Sequence, residues 1–245
     1  EPTFGLPAFW IKEAEKEKAL SQGFTVVDLA TVLTTHLSEM IRRHAHELLG
    51  RQETQQMLDV LKESHPKVVE ELVPGLLSLG TVVKVLQNLL KEQIPVRDLL
   101  TIAETLADWA PLSRDPDILT EYVRQALART ITRMHQGADL KIPVVTLDVP
   151  VERTLLKAVQ HTEHGSFLAV EPPVAEKIIN RLTALVQKFT SLDHRPIVLC
   201  SSRIRTHFRK LVERFIPDLV VLSYEEILSH VEIQSLGTVE LTDAD

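Results

Sequence analysis

The feature that most constrains this fold is a change in hydrophobic periodicity near Gly137. Between residues 51 and 134 the apolar residues recur at helical spacing. After Gly137, short apolar runs such as "IPVVTLD", "PIVLC" and "LVVLSY" alternate with helical patterns. Strands that alternate with helices predict βα units with parallel strand pairing. We therefore predict a helical bundle followed by a small α/β domain with a mixed sheet, with a boundary at residues 134–140.

Prolines divide the helical half into four or five segments. Pro66, Pro95 and Pro111 end successive runs of helical periodicity. Asp115 and Pro116 offer an N-cap followed by proline at the first helical position, an arrangement that favours the start of a helix. Short connections of this kind predict neighbouring helices in a compact bundle.

The first 50 residues combine several short signals. "KEAEKEKALSQG" predicts a polar helix that ends at Gly23, and residues 24–27 predict a strand because they are aromatic or β-branched. Asp28 is placed to cap the helix "LATVLTTHLSEMIRRHAHELL", with Gly50 at its end. Because the chain opens without Met in an apolar stretch punctuated by Pro and Gly, we expect it to be a piece of a longer protein.

Composition limits the classes of partner. The chain has 34 acidic and 27 basic residues and a net charge of −7, which disfavours general affinity for DNA, RNA or anionic lipid. Aromatic residues make up only 4%, so a base-stacking surface for nucleic acid is not expected. No apolar run approaches the roughly 20 residues that a membrane helix needs. We therefore expect a soluble chain without a nucleic-acid partner.

Cys200 is the one candidate nucleophile. It follows a predicted strand and precedes a predicted helix, and a helix N-terminus lowers the pKa of a thiol. Cys-dependent phosphatases share this order, but their loop needs Arg six positions after the cysteine, where this chain has Thr206. We expect a buried cysteine at a strand end, and a Cys-dependent hydrolase is the alternative.

Other chemistry-bearing patterns do not predict a catalytic, metal or cofactor site. On a helix, His44 and His46 lie about 200° apart, and His36 lies two turns from His44. The chain lacks both the G-x-x-x-x-G-K-[ST] and the G-x-G-x-x-G phosphate-binding patterns. The adjacent carboxylates at 70–71 and 225–226 are expected to be solvated.

The segment "SSRIRTHFRKLVERF" predicts an amphipathic helix with two basic flanks. Its apolar arc consists of Ile204, Phe208, Leu211, Val212 and Phe215. One flank carries Arg203, His207, Lys210 and Arg214, and the other carries Arg205 and Arg209. We expect a solvated basic face that balances nearby carboxylates, and docking of an acidic partner is the alternative.

Long stretches of the chain resemble the FHIPEP family, the large export-gate subunits of bacterial type III secretion systems. The resemblance is carried by "EPTFGLPAFWI", "GFTVVDLATVLTTHLSEMIRRHAHELLGRQETQQMLD", "PKVVEELVPGLLSLGTVVKVLQNLLKEQIPVRDLLTIAETLADWA", "DPDILTEYVRQALARTI" and "PDLVVLSYEEI". The block from Thr34 to Asp98 is the most specific, and "HAHELLGRQETQQ" is closer to the flagellar branch than to the injectisome branch. The resemblance implies the C-terminal part of the cytoplasmic region.

The family's cytoplasmic region has four subdomains, and the resemblance implies how this chain is divided among them. Residues 1–28 would be the C-terminal part of the second subdomain, and residues 29–49 would return to the first. Residues 50–134 would form the helical third subdomain, and residues 135–245 the α/β fourth. A remnant of two subdomains is thus expected before the bundle, with the membrane helices and the sheet of the first subdomain upstream.

The resemblance also implies a protein-export docking and gating module at the cytoplasmic face of the inner membrane, with no catalysis and no cofactor. The implied partners are export chaperones with late flagellar substrates, other export-gate subunits, the ATPase complex, and further copies of the chain in a nonameric ring. The docking depression would include Glu1, Phe4, Val27, Val32 and Thr35. Glu1 stands where the family more often has Asp.

Further charged residues are expected at the other contacts that the family implies. Ring contacts run largely between third subdomains, and the candidates are Arg51, Glu53 and Arg97. The ATPase stalk subunit approaches the cleft between fourth subdomains, and the candidates are Arg203, Lys210 and Arg214. The alternatives are a homologous injectisome export-gate protein and a ring subunit that never contacts cargo.

Overall fold

The computed structural model describes residues 1–3, 5–137, 139–162, 165–192 and 194–241. Within these residues an N-terminal segment precedes a helical bundle, and the bundle precedes an α/β part, which confirms the predicted fold class. No helix in the described part of the chain combines the length and the hydrophobicity that crossing a membrane requires.

The N-terminal segment contains three helices, α1 (Lys16–Ser21), α2 (Leu29–Arg43) and α3 (Ala45–Leu48). Asp28 caps α2 as predicted, because its Oδ1 accepts a hydrogen bond from the Thr31 N–H at 2.9 Å. The prediction of one helix over residues 29–49 is wrong, since the helix breaks at His44, where φ is −104° and ψ is 13°. Gly50 accordingly is the N-cap of the next helix instead of the end of α2.

The strand predicted at residues 24–27 is not formed. These residues pair with no described strand. The Phe24 N–H instead donates to the carbonyl of Ala19 at 3.1 Å, across the turn at Gly23, where φ is +84°. Aromatic and β-branched residues favour an extended backbone, but a strand also needs a neighbour for its backbone hydrogen bonds.

The bundle consists of six helices, which end or begin at most of the predicted prolines. They are α4 (Arg51–Ser64), α5 (Pro66–Glu70), α6 (Leu79–Lys91), α7 (Leu99–Trp109), α8 (Pro116–Ala126) and α9 (Ala128–His135), with a kinked segment at Glu71–Leu76 in which the backbone of Val73 is extended. Asp115 caps α8 by accepting a hydrogen bond from the Asp117 N–H at 2.8 Å, and Pro116 occupies the first helical position, as predicted. Pro66 both follows α4 and begins α5.

The α/β part contains two sheets. Its strands are β1 (Lys141–Leu147), β2 (Val159–Thr162), β3 (Gly165–Leu168), β4 (Ile197–Cys200), β5 (Val220–Ser223) and β6 (Glu232–Val239). The larger sheet is parallel and has the strand order β5, β4, β1, β6. The smaller sheet is the antiparallel pair of β2 and β3. Three helices complete this part, namely α10 (Val149–Lys157), α11 (Pro172–Val186) and α12 (Ser202–Val212).

The two faces of the parallel sheet belong to different cores. Ile142, Val144 and Leu199 point to one face and share a continuous core with bundle residues such as Leu86 and Leu119. The opposite face packs in a second core against the helices of the α/β part, with Val145, Val198, Ile178, Leu182 and Phe208 as members. Because side chains alternate along a strand, one short strand serves both cores. The bundle is therefore packed directly onto the sheet.

Candidate functional site

The N-terminal segment exposes a row of large apolar side chains on α2. We define the α2 apolar face by Leu29, Leu33, Leu37, Met40 and Ile41, all of which are exposed. The spacing of three or four residues places them on one side of the helix. No residue of α2 is buried, and Leu33 and Leu37 are 58% and 60% exposed. An uncovered apolar face of this kind is typical of a protein-interaction surface.

Three of the predicted docking residues lie on or just before α2. Val27 precedes the N-cap and is 50% exposed, Val32 is half-buried, and Thr35 is exposed. Val32 and Thr35 are three residues apart and share a side of α2. At 100° per residue, however, Thr35 lies about 170° from the middle of the α2 apolar face, on the opposite side of the helix. The structure thus places these three residues where a partner could reach them.

The other two predicted docking residues lie at the start of the chain. The Oε1 atom of Glu1 accepts a hydrogen bond from the Thr3 N–H at 2.9 Å, and the Glu1 carbonyl accepts one from the Gly5 N–H at 3.0 Å. Phe4 lies outside the described residues. Glu1 therefore stabilises its own turn, and an exposed apolar stretch that includes Phe9 and Trp10 follows it.

The predicted ring-contact residues lie on the surface of the bundle. Arg51 and Glu53 are exposed in the first turn of α4, and Arg97 is exposed before α7. The Glu53 carboxylate accepts a hydrogen bond from the Gly50 N–H at 2.9 Å and so caps its own helix. A role of these residues between copies of the chain stays a prediction.

A buried charge cluster, which the sequence analysis did not predict, joins the bundle to the α/β part. It consists of Glu92, Glu121, Arg124, Arg205 and Glu226. Arg205 on α12 donates to Glu121 Oε2 at 2.6 Å and to Glu92 Oε2 at 2.8 Å. Arg124 on α8 donates to both carboxylate oxygens of Glu226, at 2.6 and 2.9 Å. Both guanidinium groups are therefore held by residues from the other side of the junction.

Two predictions about charged residues are wrong because of this cluster. Arg205 was expected on a solvated flank and Glu226 in a solvated pair, yet the Arg205 side chain is only 1% exposed and Glu226 is fully buried. One signal for Arg205 was present, since it lies about 20° from Val212 on the helical wheel, at the edge of the apolar arc. No local signal marks Glu226, because its partner Arg124 is 102 residues away.

The other basic flank of α12 stays at the surface. Arg203 and Arg214 are exposed. Lys210 is half-exposed and its Nζ lies 2.6 Å from Asp117 Oδ2 on α8. Of the three predicted partner-contact residues, Lys210 is thus already engaged within the chain, and the predicted contact with the ATPase stalk subunit stays untested.

Glu92 and Arg205 in the buried charge cluster are ionised at neutral pH. Burial opposes the negative charge of Glu92, but the positive charges of Arg124 and Arg205 outweigh this effect and lower the pKa of Glu92 to about 2. Burial likewise opposes the charge of Arg205, yet Glu92 and Glu121 raise its pKa well above the usual value. Each charge is thus stabilised by opposite charges at hydrogen-bond distance, and removal of one leaves the others uncompensated.

A cavity of about 210 Å³ lies beside the cluster, between the bundle, the α/β part and the end of α2. Its charged lining groups are Arg43, Lys91, Glu92, Arg124, Arg195, Arg209 and Asp218. His135 also lines it, and burial together with the positive charges of Arg195 and Arg124 lowers the pKa of His135 to about 4. The cavity is therefore an electropositive environment in which His135 is neutral at pH 7.

We expect the free energy of unfolding to fall between about pH 6.5 and pH 4 because the pKa of His135 is low in the folded protein. In this range the unfolded chain, with a histidine pKa near 6.5, binds a proton that the folded protein excludes. The stabilisation is fully present above about pH 6.5 and is lost as the pH falls to about 4. Urea unfolding across this range should show a weaker pH dependence for His135→Asn than for the unmodified chain. Equal slopes would contradict the assignment.

Cys200 does not act as a nucleophile in this structure. It lies at the end of β4, is fully buried, and has its Sγ 3.7 Å from the carbonyl oxygen of Leu222. Burial raises the pKa of the Cys200 thiol well above its usual value. Cys200 is thus the buried strand-end cysteine that the sequence predicts, and the alternative of a hydrolase that uses this thiol is not supported.

The histidines of α2 and α3 also pack without a metal-binding arrangement. The rings of His44 and His46 stack with centroids 6.5 Å apart, and His44 Nδ1 lies 2.7 Å from Glu47 Oε1. In the part of the chain that the structure describes, no group of three or more His, Cys, Asp or Glu side chains is placed to hold a metal ion.

Comparison with known sequences identifies relatives over nearly the whole chain. The model of the FHIPEP family matches residues 1–232. The flagellar biosynthesis protein FlhA of Bacillus subtilis is 48% identical over 98% of the chain, and that of Escherichia coli is 43% identical over 98%. The chain spans only about a third of these relatives, 36% and 34% of their lengths.

Solved structures of injectisome proteins share the fold. The Chlamydia pneumoniae CdsV protein has a TM-score of 0.87 and 32% identity, with 96% of this chain and 68% of that chain covered. The nonameric SctV-C from EPEC has a TM-score of 0.81 and 30% identity, with 93% and 68% covered. Since the family model and the relatives cover nearly all of the described fold, the chain belongs to the FHIPEP family.

Proposed function

We propose that this chain is the cytoplasmic docking platform of a flagellar type III export gate, which receives export chaperones with their late substrates. The observation that carries the proposal is the exposure of the α2 apolar face, together with that of Val27 just before the helix and of Thr35 on its other side. The relationship to FlhA proteins over 98% of the chain supports the export-gate role.

The chemistry of this surface suits a reversible dock for several chaperones. Apolar contacts are not directional, so one apolar face can accept partners of different detailed shape. Each fully buried apolar side chain contributes about 2 kcal/mol to binding. A few such side chains together give an affinity that is useful and still reversible. A carboxylate at the rim, such as that of Glu1, would set the orientation and the association rate more than the affinity.

Sequence identity favours the flagellar branch over the injectisome branch. FlhA of Bacillus subtilis is 48% identical to this chain, whereas CdsV and EPEC SctV-C are 32% and 30% identical. The injectisome alternative is therefore less well supported. The proposed role includes no catalysed reaction, in keeping with the buried, protonated thiol of Cys200.

We also propose that the full protein assembles into a nonameric ring at the cytoplasmic face of the inner membrane. The nonameric SctV-C and the nonameric EscV cytosolic domain, with TM-scores of 0.81 and 0.78, support this proposal. Exposed bundle residues such as Arg51 and Arg97 are the candidate ring contacts. CdsV has also been solved in complex with CdsO, which supports further export-apparatus partners, with Arg203 and Arg214 as candidate contacts.

Val27→Asp is the variant that tests docking. We expect it to weaken binding of a late export chaperone–substrate complex at least tenfold, because a charge replaces an apolar contact that would be desolvated in the complex. Binding is measured by isothermal titration calorimetry with the chain of residues 1–245 and its variants. Val60→Asp is the matched control, since Val60 on α4 is also an exposed valine (68%) and lies outside the proposed surface.

Unchanged affinity in Val27→Asp, or an equal loss in Val60→Asp, would contradict docking at this surface and would favour a ring subunit without cargo contact. Circular dichroism of both variants establishes that the fold is retained, which we expect because neither valine is buried.

A further inference from the structure

We propose that the cavity beside the buried charge cluster binds a phosphate-type oxyanion. This proposal is independent of chaperone docking. The cavity measures about 210 Å³, which accommodates a phosphate group together with some of its hydration water. Its walls come from the bundle, the α/β part and the end of α2, so a bound anion would connect three portions of the chain.

The charges that line the cavity favour an anion. Five lining residues are positive, namely Arg43, Lys91, Arg124, Arg195 and Arg209. The first three are paired with Glu39, Glu213 and Glu226, so Arg195 and Arg209 carry most of the attraction for an anion. Two lining residues are carboxylates, and both are placed so that they oppose an anion weakly. Glu92 is already paired with Arg124 and Arg205, and Asp218 is exposed to solvent, where its charge is screened.

The arginines have hydrogen-bond donors beyond those that the fold uses. A guanidinium has five N–H groups in a planar fork that matches the oxygens of phosphate. Arg195 uses Nη1 to donate to Gln93 Oε1 at 2.7 Å, and Arg209 uses Nη1 to donate to the Leu219 carbonyl at 2.7 Å. The buried Nη1 of Arg124 lies 3.1 Å from Glu92 Oε2 but makes no hydrogen bond among the described residues.

His135 lies among the same positive charges. The pKa of His135 is lowered by burial and by the cations Arg195 and Arg124, so the site disfavours one more positive charge. The same environment favours a negative charge. An oxyanion in the cavity would oppose the effect of the arginines and would move the pKa of His135 back toward its usual value.

The test is a calorimetric titration of the chain with inorganic phosphate and with pyrophosphate, against sodium chloride at equal ionic strength. We expect saturable binding of one anion, weakened at least tenfold by Arg195→Gln, because a charge-assisted hydrogen bond is lost. Arg97→Gln is the matched control, since both arginines are exposed and only Arg195 lines the cavity. The affinity for ADP relative to pyrophosphate then distinguishes a nucleotide from a free oxyanion.

An NMR titration of the histidine signals tests whether the anion binds in the cavity beside His135. With phosphate bound, the pKa of His135 should rise by about 1 to 3 units, since an opposite charge nearby shifts a pKa by this amount. The His135→Asn spectrum assigns the signal. Three results would each overturn the proposal. The first is a heat of phosphate binding no larger than that of chloride, and the second is an equal loss of affinity in the two arginine variants. The third is a His135 pKa that phosphate leaves unchanged.

Discussion

Replacement of Arg205 with methionine is expected to lower the free energy of unfolding by about 3 to 5 kcal/mol. Arg205 is buried and donates hydrogen bonds to Glu92 and Glu121. Its removal leaves these carboxylates in the junction with less compensating positive charge, although methionine fills a similar volume. Urea unfolding followed by circular dichroism at pH 7 measures the loss.

Lys210→Met is the control for Arg205→Met on the same helix. Lys210 is paired with Asp117 at 2.6 Å but is half-exposed, and a pair in contact with water contributes only about 0 to 1 kcal/mol. If the two variants lose equal stability, burial does not govern the energetics of the charge cluster.

Phe208→Ala should lower the free energy of unfolding by a comparable amount, about 3 to 5 kcal/mol. The Phe208 side chain is fully buried in the core on the far side of the parallel sheet, between α12 and the strands. Truncation to alanine removes apolar burial and leaves a cavity that the closely packed surroundings fill only in part. The same urea unfolding experiment measures this loss.

Phe215→Ala is the matched control, because Phe215 follows α12 and is 61% exposed. We expect its effect to stay within about 0.5 kcal/mol. Phe208→Ala should also unfold in one transition, since the bundle and the sheet share a core. Two separate transitions, or a large loss in Phe215→Ala, would contradict the packing described above.

Much of the fold could be predicted from local patterns. Asp28 and Asp115 cap helices where the sequence places them, and the runs "IPVVTLD" and "PIVLC" form neighbouring parallel strands. The errors occur where structure depends on distant residues. Residues 24–27 have strand composition but no strand partner among the described residues.

The candidate sites divide in the same way. Helical periodicity reveals the α2 apolar face, and the family resemblance alone predicts which residues near it take part in docking. The buried charge cluster could not be predicted, because Arg205 meets Glu121 and Glu92 across 84 and 113 residues. Neither the pairing nor the cavity next to it leaves a periodic signal in the sequence.

The break at His44 separates α2, which has no buried residue, from α3. Helix α3 packs on α6, and the side chain of Gln87 donates to the Leu49 carbonyl at 2.9 Å, which fixes α3 to the bundle. The bundle is in turn packed onto the sheet through a shared core. Helix α2 therefore meets the packed part of the chain in two places, through the turn at His44 and through Arg43, which lines the cavity together with residues of the bundle and the α/β part.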